Sequence, residues 1–454
     1  MPIATVNPTT GETEKVFEPD SEEAVEAKLA AAAAAFTAFR ATPYEERAHL
    51  ARGAADLLEG ELPDIARTLT VEMGKTFASA KGEVAKCAGA LRWFAEHAAG
   101  LLAEEPVRSA AGESHVQYGP MGPVLAVMPW NFPMWQVMRF AAPGLMAGNV
   151  GLLKHASNVP QTALLIEDVF RRAGYPSGTF QTLLVESGRV ERLIGDDRVR
   201  AVTLTGSEGA GRSVAAAAGR ALKKSVLELG GSDPFVVLAS ADLERAATVG
   251  VQARVQNNGQ SCIAAKRFIV HGDVYASFEE RFVAIMERLV VGDPMEQGTD
   301  VGPLATAQGR ADVHEQVEDA RAKGAAILCG GRAGDGPGFF YQPTVIAGIT
   351  PDMRVATEEV FGPVALLQRA DDAADALRRA NATPFGLGAS VWTQDPDERR
   401  AFVDGLDVGM VFVNAMVAST PELPFGGTKR SGFGRELSAL GIREFCEAKT
   451  VWVA

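Results

Sequence analysis

The chain reads as an α/β protein with parallel sheets. Helical segments alternate with short apolar runs for most of the length, and glycine or proline turns bound those runs. Size adds a second indication. At 454 residues, 47% hydrophobic and 22% charged, the chain exceeds one small core and needs two or three packed units.

The elements follow in order. Asp20 and Ser21 cap a helix over residues 21–41, with Glu22 and Glu23 in its first turn. Residues 45–99 continue as helices, interrupted near Gly60 and Pro63. Residues 116–127 hold two extended runs divided by Gly119-Pro120 and Gly122-Pro123, a pattern that suits a hairpin-like ribbon better than a core strand. A strand over 149–154 and a helix over 161–173 come next. Residues 200–205 form another strand, leading through Gly206, Gly209 and Gly211 into an alanine-rich helix. A second α/β set begins near Gly230-Gly231 with a strand over 234–238 and alternates through Phe412. Glycines at 426, 427, 432 and 434 suit a loop that closes over something. Residues 450–453 read as a final, edge-pairing strand.

Composition narrows the function. A net charge of −13 argues against nucleic acid or an anionic membrane as the main partner. No apolar run is long enough to span a bilayer, and residues 1–12 lack the basic and apolar regions of a secretory signal. Cys87, Cys262, Cys329 and Cys446 lie far apart without a CxxC, which points to a reducing cytoplasm. His49, His97, His115, His155, His271 and His314 stand alone, so neither a protein-built metal site nor a histidine base is expected.

Three places carry chemistry. The first is the strand Ala201-Val-Thr-Leu-Thr205 running into Gly206-Ser207-Glu208-Gly209-Ala210-Gly211 and a helix. It lacks the GxGxxG fingerprint, yet such a turn can set backbone N–H groups and a helix dipole against a pyrophosphate. A tight turn without ligand fits the same residues. Lys154, at a strand end, suits a ribose or phosphate contact or a solvated surface. The second is the polar loop Asn257-Asn258-Gly259-Gln260-Ser261-Cys262, whose backbone N–H groups should ease ionisation of the thiol. A buried structural cysteine is the alternative. The third is Glu228, in the apolar run Val226-Leu227-Glu228-Leu229-Gly230-Gly231. Burial there raises a carboxyl pKa towards neutrality and makes it a base; an edge strand would leave it facing solvent.

Together these pieces resemble the aldehyde dehydrogenase superfamily from Asn7-Pro8 to Trp452. Its signatures appear in order: Pro129-Trp130-Asn131-Phe132-Pro133, Lys154, Thr205-Gly206-Ser207, Leu227 to Gly231, Gly259 to Cys262, Glu358 to Pro363, Pro424 to Gly427, Ser431-Gly432 and Gly434-Arg435-Glu436. One of these alone is weak; the set in register is specific. The resemblance implies the aldehyde dehydrogenase fold, with a Rossmann-like cofactor-binding domain at 1–110 and 125–229 and an α/β catalytic domain at 230–423. A small β oligomerisation arm at 111–124 and 437–454 implies a homodimer or homotetramer. It implies Cys262 as nucleophile, Asn131 with the Cys262 N–H as oxyanion hole, and Glu228 as the base that activates water. Pro129, Trp130, Lys154, Ser157, Gly206, Ser207, Leu229, Glu359 and Phe361 are then the contacts to NAD or NADP. His155 departs from the proline that commonly follows this lysine.

Within the family the chain looks most similar to succinate-semialdehyde dehydrogenases of the short bacterial type. Arg139 follows Asn131 on an apolar segment, where a lone cation is costly unless it meets an anion. The remote carboxylate of a semialdehyde supplies one through charge-assisted bonds; a protein carboxylate would do the same. Trp135, Ser261 and Phe425 would line the tunnel. Gln256 stands where relatives carry a second arginine, so Gln256, Arg254 and Ser419 are the candidates to assist. Ser157 replaces the glutamate by which NAD-preferring relatives repel a 2′-phosphate, so NADP is the expected cofactor, with NAD second. Ala264 replaces the cysteine that lets some relatives lock the nucleophile in a disulfide. Glutarate semialdehyde, an acylating reaction with coenzyme A, and a redox-inert protein of the same fold are the competing readings.

Overall fold

Two sheets organise the computed structural model, which describes residues 2–454. The first has six strands, in the order Gly432–Phe433, Lys224–Glu228, Ala201–Thr205, Pro123–Met128, Val150–His155 and Phe180–Thr182. All but Gly432–Phe433 run parallel. The chain fills one side, through Phe180–Thr182, before it crosses to Ala201–Thr205 on the other. The order therefore reverses between Pro123–Met128 and Ala201–Thr205, and an open crevice at the carboxyl ends of those two strands follows from that topology.

The second sheet has seven strands, in the order Ala326–Cys329, Thr344–Ala347, Val364–Ala370, Ala265–His271, Asp233–Val237, Gly388–Trp392 and Met410–Val413. Only Ala326–Cys329 is antiparallel. A short junction links the two sheets: four residues separate Lys224–Glu228 of the first from Asp233–Val237 of the second. Gly230 and Gly231 fill that junction because side chains would not fit. A Cβ on Gly230 would overlap the Glu359 carboxylate, and one on Gly231 would lie 2.8 Å from the Cys262 carbonyl.

A third, antiparallel sheet stands apart: Cys446–Val453 pairs along its whole length with Glu113–Pro120, which also pairs with Glu105–Pro106. The expected ribbon over 116–127 is therefore corrected. Its first half belongs to this sheet, and its second half, Pro123–Met128, is a central strand with Val124, Leu125 and Ala126 fully buried. A parallel strand covered on both faces shows a continuous apolar run, and Pro123 is tolerated as its first residue. The last strand also begins earlier than expected, at Cys446, because its exposed polar residues give no apolar signal.

The helical start matches its sequence signals. Ser21 caps Glu22–Phe39, and the break near Gly60 separates Tyr44–Gly60 from Leu62–Met73. A further stop falls at Gly74, with φ of 82°, before Phe77–Leu101, since a Cβ there would press on the Pro303 carbonyl at 2.6 Å. The helix Trp135–Ala147 is buried on every side. It places Trp135 and Arg139 four residues apart, on one face.

Candidate active site

The cysteine loop is held by its own sequence. Asn257, Asn258 and Gly259 are consecutive left-handed residues, with φ of 56°, 58° and 78°. Asparagine tolerates this region better than other side chains because its amide bonds locally. The Asn257 amide donates to the Asn131 and Gln260 carbonyls at 2.7 and 3.0 Å; that of Asn258 donates to Gly74 and Pro303 at 2.7 and 2.9 Å. Gly259 must lack a side chain, since a Cβ would overlap the Gly362–Pro363 backbone. Beneath the loop the buried Arg254 guanidinium donates to the carbonyls of Gly259, Gly362 and Ala265. Lys266 Nζ donates to the Ser261 and Cys262 carbonyls at 2.7 and 2.6 Å and lies 3.1 Å from Glu359.

Two cavities meet at Cys262. One, of about 280 Å³, lies in the crevice at the strand reversal, and its walls include Pro129, Trp130, Gly206, Ser207, Glu359 and Phe361. Asn131 and Leu229 complete it beside Cys262. The other, of about 220 Å³, opens on the opposite side of the cysteine. There Trp135, Arg139, Gln256, Ser261, Ser419 and Phe425 face the space. Cys262 is the one residue common to both. The Asn131 amide gives one hydrogen to the Gln260 carbonyl at 3.1 Å, which leaves the second free.

Charge at the site departs from expectation at the sulfur. Burial pushes the Cys262 thiol up to about 11, against the partial pull of Arg139 and Lys266, so the resting group is a neutral thiol rather than the readily ionised one the loop suggested. Glu228 is buried, with no hydrogen bond to either carboxyl oxygen. The solvent-facing alternative fails because Gly432–Phe433 pairs with its strand on the outer side. Burial, then the neighbouring Glu436 carboxyl, holds Glu228 well above the usual carboxylate range. Its carboxyl rests over Gly426 and lines neither cavity.

Arg139 already has an anion. Its Nε lies 2.6 Å from Glu436 Oε2, both side chains are only 2% exposed, and Nη2 donates to Thr205 Oγ1 at 3.2 Å. Arg139 therefore pairs through Nε with a protein carboxylate, the alternative that its sequence position also allowed, while it still lines the cavity. Arg254 is removed from the candidates, since it serves backbone carbonyls. Lys154 and Ser157 lie outside both cavities, at and just past the end of Val150–His155. Lys154 has no hydrogen bond or ion pair among the described residues, and burial lowers its pKa. His155 is fixed as a neutral ring: Nε2 donates to the Pro133 carbonyl at 2.7 Å, Nδ1 accepts from the Ala156 N–H at 2.9 Å, and burial draws its pKa to about 4.

Four residues escaped the sequence reading. Glu83 accepts the Met134 and Trp135 N–H groups at 2.9 and 2.8 Å and pairs with the buried Lys75, so it caps the helix that carries Trp135 and Arg139. Glu436, Lys266 and Lys86 were missed too. Only Glu436 had a signal, the Gly434-Arg435-Glu436 signature, and nothing in that motif names its partner.

The chain belongs to the aldehyde dehydrogenase family, whose model matches residues 1–451. It is 59% identical over 457 aligned residues to the Mycobacterium tuberculosis protein named succinate-semialdehyde dehydrogenase [NADP(+)] 1, with 100% of each chain covered. The Mycobacterium leprae succinate-semialdehyde dehydrogenase [NADP(+)] is 58% identical, again covering 100% of both. A crystal structure of succinic semialdehyde dehydrogenase from Streptococcus pyogenes in complex with NADP+ superposes with a TM-score of 0.97, at 37% identity and covering 99% of each chain.

Proposed function

We propose that this chain oxidises succinate semialdehyde to succinate with NADP, and with NAD less well. One observation carries the reading: a single cysteine divides a crevice suited to a dinucleotide from a second cavity lined by cations. The printed names of the mycobacterial relatives and the NADP+ complex of the streptococcal structure support it.

The residues present fit the cofactor. Gly206 and Ser207 open the 13-residue helix Glu208–Arg220, whose first N–H groups and dipole suit a pyrophosphate. Lys154 supplies a cation without a partner, and the Ser157 hydroxyl leaves room for a 2′-phosphate. Pro129, Trp130 and Leu229 would flank the nucleotide, with Glu359 and Phe361 at the nicotinamide end. NADP, when bound, supplies the hydride acceptor.

The protein's own steps begin at sulfur. Cys262 Sγ attacks the aldehyde carbon as its proton passes by way of water to the carbonyl oxygen, giving a thiohemiacetal. The free hydrogen of the Asn131 amide and the Cys262 N–H meet the oxygen that gains charge. Once that intermediate is oxidised to a thioester, Glu228 takes a proton from water as the water attacks, and the acid leaves with the thiol restored. For that the Glu228 carboxyl turns from Gly426 towards the cysteine. Trp135, Arg139, Gln256, Ser261, Ser419 and Phe425 enclose the aldehyde. A water-activating carboxylate disfavours acylation of coenzyme A. Glutarate semialdehyde differs by one methylene, a discrimination of only about 1–3 kcal/mol.

We read the six-stranded unit as the cofactor domain, the seven-stranded unit as the catalytic domain and the three-stranded sheet as the arm that joins copies. Trp452 and Val453 on that arm are 57% and 48% exposed. No helix among the described residues is long and apolar enough to cross a membrane. We place the enzyme in the cytoplasm, where its four free cysteines stay reduced.

The test is a panel of succinate semialdehyde, glutarate semialdehyde and butanal with either nucleotide and no coenzyme A, followed at 340 nm. Succinate semialdehyde with NADP should give the highest kcat/KM. In Glu228→Gln a burst of NADPH should survive while steady turnover falls about 10²–10⁴-fold, because the thioester accumulates. A wild type that prefers butanal, or needs coenzyme A, sinks the reading.

A further inference from the structure

Arg139 is answered by a carboxylate of the protein, but another cation on the same cavity is not. Lys86, half-buried on the helix Phe77–Leu101, lines the cavity beside Trp135 and Ser419. Its Nζ donates to Ser419 Oγ at 2.8 Å and sits 4.2 Å from the centre of the Trp135 ring. Among the described residues it makes no ion pair.

The groups around it explain why. Glu83, one helical turn earlier, is committed to Lys75 and to the Met134 and Trp135 N–H groups. Cys87, on the same helix, is a buried thiol held well above its usual value by burial, hence neutral. Arg139 faces Lys86 from the helix Trp135–Ala147 and repels it, and Cys262 from its loop is also a neutral thiol.

Ser419 adds a second donor. Its Oγ accepts from Lys86 Nζ at 2.8 Å and from Trp135 Nε1 at 2.9 Å. Both lone pairs are then used, so the hydroxyl proton can only be donated, and no group among the described residues accepts it. An unpaired ammonium and an unspent hydroxyl proton side by side in a cavity form a place for an anion.

We propose that Lys86, with the Ser419 hydroxyl and beside Arg139, receives the remote carboxylate of the substrate. Arg139, paired through Nε with Glu436, lines the same cavity and adds its charge there. The proposal rests on the substrate class put forward above, a short aldehyde with a carboxylate at its far end. It also makes recognition depend on pH. Burial, reinforced by Arg139, draws the Lys86 ammonium down to about 8. Below that value the site is cationic; above it the ammonium loses its proton, and with it the charge that attracts the anion. A carboxylate aldehyde stays ionised throughout, and arginine at this position would stay charged.

The experiment measures kcat/KM for succinate semialdehyde and butanal across about pH 6.5–9.5 with the full-length enzyme and NADP. The ratio of the two values is the preference for the carboxylate. Lys86→Met should lower it about 30-fold, mainly through KM, and Lys86→Arg should restore most of it. In wild type the ratio should fall above pH 8, approaching about tenfold per pH unit, whereas Lys86→Arg should stay level. A Lys86→Met ratio within about threefold of wild type overturns the proposal, as does a wild-type ratio that stays level through the alkaline range. Should Lys86→Met fail to fold, the wild-type and Lys86→Arg profiles decide alone. A wild type with no preference at all sinks the substrate class; a preference that survives Lys86→Met sinks only the role of Lys86.

Discussion

The two cavities that share Cys262 are built from different materials. The crevice on the first sheet is a matter of backbone: a strand end, the Gly206 turn and a helix start, with Pro129 to Asn131 in the loop just past the neighbouring strand. Its walls come from short contiguous stretches. The opposite cavity is a matter of side chains delivered by separate segments: Lys86 from one helix, Trp135 and Arg139 from another, Gln256 from the cysteine loop, Ser419 and Phe425 from near the C-terminus. Backbone geometry suits a ligand part common to many enzymes, whereas interchangeable side chains suit the part that varies. That division lets one fold keep its cofactor and change its aldehyde.

Variants can break or sharpen this contrast. Cys262→Ala removes the one residue common to both sides, and turnover with any aldehyde should fall by about 10⁴-fold or more, read as NADPH formation. Activity near wild type would remove the cysteine from the chemistry. Glu436→Gln acts on the side-chain-built wall, leaving Arg139 buried without its carboxylate. A loss of about 3–5 kcal/mol is expected, read by urea unfolding. An unchanged midpoint would show that the pair holds little of the wall together.

The thiol itself offers a third measurement. With its pKa raised to about 11, Cys262 in cofactor-free enzyme should react with iodoacetamide about tenfold faster per pH unit between pH 7 and 10, followed on the Cys262 peptide by mass spectrometry. A rate already level at pH 7 would mean that the resting sulfur is a thiolate after all. The smallest effect belongs to the strand end outside both cavities, on the side proposed for the cofactor. Ser157→Glu should cut the NADP/NAD preference by about tenfold, through repulsion of the 2′-phosphate, and leave the aldehyde KM alone. A shift in aldehyde KM instead would mean that the two walls are not independent.

What could be read in advance follows the same line. The glycine turn, the cysteine loop and the strand ending at Glu228 are local patterns, and each lies where its sequence signals placed it. Thr205, Gly206 and Ser207 needed only a strand, a turn and a helix cap within a few residues. The segment over 116–127 was misjudged because one half joins a sheet completed by residues 446–453, more than 300 positions away, and period alone cannot reveal that partner. Arg139 shows the limit most plainly. Its cost in an apolar setting was legible, and so was its need for an anion. Which anion answered it was not, since Glu436 lies 297 positions further along.

The sequence by itself determined the α/β architecture and placed the Gly206 turn, the cysteine loop and the strand ending at Glu228, because strand periods, caps and glycine turns act over a few bonds. Only the tertiary structure decided which charges are spent and which are free, and that the cysteine rests as a thiol. Desolvation and ion pairing depend on what the fold brings within a few ångströms, and chain separation does not encode that distance.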